Sequence, residues 1–105
     1  MTLTREEILA MEPGQELDEL ICNHIFDLEM VAHVHYSSDI SAAWEVVTHL
    51  MNDHKDVLVQ GVSFEKNRLF DCAIYEHEDE LAVTSMQSSA PEAICKAALL
   101  AVLNL

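Results

Sequence analysis

A chain of 105 residues, half of them apolar, with only two Gly and two Pro, reads as one domain over 1–105 with enough apolar residues for a single core. Nineteen Asp and Glu against five Lys and Arg give a formal charge of −14. That balance excludes the clustered cations that a nucleic-acid backbone or an anionic membrane surface requires, and it favours solubility or a basic partner.

The N-terminus, "MTLTREEILAMEPG", lacks the basic-then-apolar order of a signal peptide. Lys96 interrupts the longest apolar run, so no segment reaches transmembrane length and the expected location is the cytoplasm. Thr4 with Glu7 has the capping-box form, which predicts a short helix from about Arg5 to Met11, broken by "EPG" at 12–14. Leu17, Leu20, Ile21, His24, Ile25 and Leu28 recur at helical spacing and predict a second helix. Glu16, Asp18 and Glu19 suit its positive N-terminal end.

Residues 30–36 alternate weakly and read as extended. From Ile40 a third helix carries Ile40, Ala43, Trp44, Val47, Leu50 and Met51 as one apolar stripe, ending in "NDHKD" at 52–56. The period then changes. Segments 57–64, 69–76 and 81–87 are strand-length runs separated by "EKNR" and "HEDE", which predicts an antiparallel meander. Phe70, Cys72 and Ile74 mark its more apolar face.

Ser89 as N-cap, Pro91 in the first turn and Glu92 near the dipole predict a final helix. It is apolar almost all round, so it is either buried centrally or shared with a second copy. Ala97, Ala98 and Ala101 permit close approach, and Leu99, Leu100 and Leu103 supply area. The expectation is a homo-oligomer through this helix, with the N-terminal helix folding over it as the alternative. The expected fold class is α+β, a three-layer α/β/α sandwich around a small, mainly antiparallel sheet of three or four strands.

The candidate chemistry is sparse. Ser37-Ser38-Asp39 precedes the third helix, where Ser38 or Asp39 would cap a free N–H; an anion site is the weaker reading, opposed by the carboxylate. His33 and His35, with His24, could join a carboxylate around a metal, but no ligand spacing of a recognised motif is present. "EHEDE" at 76–80 reads as a solvated turn, and Trp44 as a core or interface anchor, with base stacking a lesser possibility. Cys22, Cys72 and Cys95 have no CxxC spacing and read as small buried hydrophobes. No catalytic, cofactor-binding or metal residue is assigned.

"REEILAMEPGQELDELI", "YSSDISAAWEVV" and "SAPEAICKAALLAVL" together resemble the phage ABA sandwich domain family, small proteins of bacterial phages and prophages. The resemblance implies helix–sheet–helix layering and a phage origin; it implies no reaction. With the charge, it leads to the expectation of a non-enzymatic accessory protein that binds a basic host protein through an acidic surface, such as a defence or nucleic-acid-handling protein. The alternative is sequestration of a nucleotide-type ligand between subunits, which the scarcity of Lys and Arg opposes.

Overall fold

The structure, a computed structural model, describes residues 3–27 and 34–105. Helix α1 spans Arg5–Ala10, and the Thr4 hydroxyl accepts from the Glu7 N–H at 3.2 Å as its N-cap. Pro13 disfavours helical backbone before it, so α1 stops short. Helix α2 spans Gln15–His24 and begins at Gly14, whose φ of 157° is open to glycine alone. Leu28, expected on this helix, and most of the expected extended segment lie outside the described residues.

Helix α3 spans Ile40–Asn52 and buries Ala42, Ala43, Val46, Val47 and Leu50. The expected stripe therefore divides. Ala43, Val47 and Leu50 face inward, while Ile40, Trp44 and Met51 lie along the edge of that arc and stay 50%, 53% and 58% exposed. Trp44 is not a core residue: helical spacing gives an apolar arc wider than the neighbouring elements cover.

Strands β1 (Lys55–Phe64), β2 (Asn67–Glu76) and β3 (Asp79–Gln87) form an antiparallel sheet in the order β1-β2-β3. The α+β class and the antiparallel meander match the sequence expectation, with three strands. Each strand is longer than its apolar run because the hairpin turns hold two residues. Glu65 and Lys66 both take positive φ, 48° and 73°, as a type I′ turn requires, and pairing continues to Phe64 opposite Asn67.

Val57, Val59, Phe70, Cys72, Ile74, Ala82 and Thr84 form the sheet face directed at the helices. The core gathers between this face and α4, Ala90–Val102, which packs on β2 and β3. Helix α3 lies beside α4 and meets β1, while α1 and α2 close on the remaining side of α4. Three layers result among the described residues: the sheet, the α3–α4 pair, and α1 with α2.

Every residue of α4 from Pro91 to Leu100 is buried. The expected oligomer surface on this helix is thus occupied by the chain's own elements, with Ala97, Ala98, Leu99 and Leu100 at 0% exposure. The reason is the alternative raised above: the N-terminal helices fold over α4 and bury its second face internally. Lys96, at 2% exposure, contributes to the same closure. Its ammonium donates to Glu92 Oε2 at 2.7 Å, to Gln87 Oε1 at 3.2 Å and to the Leu9 carbonyl in the last turn of α1 at 2.9 Å. That carbonyl has no partner within its helix, so one side chain satisfies a helix end and ties α1 to α4. No helix among the described residues is long and apolar enough to cross a membrane.

Candidate docking groove on α3

The segment before α3 is held by a buried polar cluster. Asp18, in the first turn of α2, is 2% exposed, and its Oδ1 accepts from the Ser37 N–H at 2.8 Å and the Ser37 hydroxyl at 2.7 Å. The Gly14 N–H donates to Ser37 Oγ at 2.9 Å. Burying a carboxylate demands this density of donors, which locks the entry of α2 to the entry of α3. The serine–aspartate cluster thus divides its work. Ser37 fixes the chain, and Asp39 caps α3 by accepting from the Ser41 N–H at 2.9 Å. The cap fills one first-turn N–H that the anion reading needed, and its carboxylate repels an anion.

With Ser37 fixed, Tyr36 is placed inward at 6% exposure. Burial, then neighbouring negative groups that include Glu45 and Asp18, push its hydroxyl above the usual tyrosine range. Phe26, just past α2, stacks on Tyr36 with ring centres 5.2 Å apart and meets His49 of α3 edge-on at 4.9 Å. Beside this aromatic cluster runs a groove of about 340 Å³, lined by Phe26, Ser41, Trp44, Glu45, Thr48, His49 and Asn52. Thr48 turns its hydroxyl back to the Trp44 carbonyl at 3.0 Å. Among the described residues, Glu45 is the only Asp, Glu, Lys or Arg in the lining. A half-exposed tryptophan, an aromatic wall and one carboxylate suit a side chain with an apolar body and a positive end.

Two other hollows share this chemistry. One of about 580 Å³ between α1 and α2 is lined by Leu3, Ala10 and Met11 with Glu7, Glu12 and Glu16. Another of about 210 Å³ lies on the outer sheet face, lined by Leu58, Ala73, Tyr75 and Val83 with Asp71 and Glu80. Among the described residues, neither has a Lys or Arg in its lining.

The remaining sequence candidates do not converge. His33 lies outside the described residues, and the exposed His35 sits 3.8 Å from Asp18 Oδ2. Among the described residues no group of three His, Cys, Asp or Glu side chains is placed to hold a metal. "EHEDE" spans the β2–β3 turn, where Glu76 lies 3.6 Å from Lys55. All three cysteines are free and buried. Burial pushes the Cys72 thiol up to about 12, and burial with nearby negative groups raises Cys95 as well, so both lack thiolate character near neutrality. Sequence reasoning missed the Asp18–Ser37 and Glu92–Lys96 contacts. Only the second had a signal, a Glu four residues before the one Lys of an apolar helix.

The family model of the phage ABA sandwich domain matches residues 6–99. No curated protein and no solved structure matches the chain.

Proposed function

The chain belongs to the phage ABA sandwich domain family, and from that membership we propose that this small phage-associated protein is a non-enzymatic accessory factor that docks a basic host protein. One observation carries the reading. Among the described residues, three separate hollows pair apolar side chains with carboxylates and have no Lys or Arg in their linings, while a fourth, at Val62 and Leu69, is lined by Arg68. An apolar patch with one sign of charge at its margin selects a partner of the opposite sign and steers its approach. The α3 groove is the favoured contact, because a central exposed tryptophan is the residue type on which docking energy concentrates. The partner class that fits the charge is a nucleic-acid-handling or defence protein with a basic surface, held in the host cytoplasm.

A nucleotide-type ligand stacked on Trp44 is the competing reading. Glu45 beside the ring, with no Lys or Arg among the described lining residues, opposes a phosphate. Immobilised wild type and Trp44→Ala, exposed to host lysate at low and high salt, separate the two. Docking predicts a basic protein retained by wild type at low salt, released when the charges are screened, and not retained by Trp44→Ala. A nucleotide released on denaturation, with no protein retained, would replace this reading with the second.

A further inference from the structure

The outer face of the sheet is a finished surface with nothing of the described chain upon it. The register places Leu58 opposite Ala73 and Ala73 opposite Val83, giving an apolar row across all three strands. Val62 opposite Leu69 extends it toward one end. Ala73, on the middle strand, has the smallest side chain of the row, so the larger side chains on both edge strands leave a channel above it, the 210 Å³ hollow described above. Leu58 is 56% exposed. Polar residues beside the row include Asp56, opposite Tyr75, Glu80, also opposite Tyr75, and Gln60 opposite Asp71, with Ser63 and Arg68 at the Val62–Leu69 end.

Asp71 is already oriented. Its Oδ1 accepts from the Met86 N–H at 2.8 Å, where Met86 takes φ 59° at a register shift in β3. Among the described residues the lining of this hollow holds carboxylates and no Lys or Arg, and Arg68 lines the surface only at the Val62–Leu69 end.

We propose that this face is a second docking surface, and that its occupant is a cationic amphipathic helix of a partner protein. A helix is the element that buries an apolar sheet face, with a ridge of side chains entering the Ala73 channel. Lysines or arginines flanking that ridge reach Asp56 and Glu80 on opposite edge strands. A second copy of this chain is a poor occupant. A two-fold contact would bring the acidic margin of one copy, Asp56, Asp71 and Glu80, against that of the other, between two chains of −14 each. The proposal rests on the reading of a basic partner but uses a surface other than the α3 groove. A partner, or two, could therefore be held at both surfaces at once.

The test uses a synthetic amphipathic helix with leucines on one stripe and lysines flanking it, and a control with glutamates in place of the lysines. Both are titrated by anisotropy against the full chain. Binding by the lysine peptide alone is expected, weakened about tenfold by Leu58→Gln and again by Glu80→Lys, with melting unchanged because both residues are exposed. Trp44→Ala should leave this binding intact. Equal binding of the two peptides, or no effect of Leu58→Gln and Glu80→Lys, overturns the proposal. Loss only in Trp44→Ala leaves the groove reading standing and removes this one. Sedimentation of wild type as a dimer that Leu58→Gln dissociates would make a second copy the occupant, and overturn it too.

Discussion

Replacing Lys96 by Met tests the internal tie between α1 and α4. The Lys96 side chain is 3% exposed and that of Glu92 is 9% exposed, so this pair is closed from water. Met fills much of the same volume but donates nothing. Glu92 keeps the Ser88 hydroxyl at 2.7 Å but loses its counter-charge, and the Leu9 carbonyl loses its donor. Removing one partner of a buried pair costs about 3–5 kcal/mol. For a chain of this size that is a melting shift of roughly 15 °C, taking about 4 °C per kcal/mol.

The penalty should depend on pH with a defined sign. Burial raises the Glu92 carboxyl, but the Lys96 and Ser88 hydrogen bonds and the Lys96 charge outweigh it and hold it below its ordinary 4.5. A depressed carboxyl contributes stability that is complete above 4.5 and fades as pH falls through its folded value. Without Lys96 the burial effect dominates, the carboxyl rises, and protonation relieves the buried charge. The gap between wild type and Lys96→Met should therefore be widest near neutral pH and narrow toward pH 5. Adding Glu92→Gln should recover about half of the loss, leaving the unpaired Leu9 carbonyl at about 1–3 kcal/mol. Circular-dichroism melts of the three variants across pH decide it. A Lys96→Met variant within about 1 kcal/mol of wild type at pH 7, or a double variant no better than the single, would refute the reasoning.

Urea unfolding should rank Ser37→Ala, at about 2 kcal/mol, above Asp39→Ala, at about 1 kcal/mol, because the first strips a donor from a buried carboxylate and the second removes a surface cap; the reverse order contradicts these roles. Leu100→Lys should leave a largely unfolded chain by circular dichroism, since this fully buried position admits no partner for the charge. Alkylation of Cys72 and Cys95 at pH 8 should be slow in the native protein and fast in denaturant, as expected of buried thiols held above their ordinary value; rapid native labelling would show an open core. Thermal melts with and without a strong chelator should coincide, and a clear drop on chelation would direct attention to His35 and its neighbours.

What could be read from the sequence was local, repeated chemistry. Thr4, Asp39 and Ser89 announce helix starts because a free N–H needs an acceptor at one particular place, and all three serve as caps. The change of period at Val57 announces the meander, because alternation has no other stable use. The tertiary structure decided how wide each apolar arc had to be. Helix α4 is apolar all round, which suits a central helix and a shared one equally, and only the placement of α1, α2 and α3 made it central. The same choice left Trp44 outside, although its helical spacing is as regular as that of Val47. Buried polar contacts were hidden for a related reason. Asp18 and Ser37 are 19 residues apart, and no periodicity links a carboxylate to a hydroxyl across a loop. Their pairing exists because packing closed the water out, and a buried charge then had to find its donors within the chain.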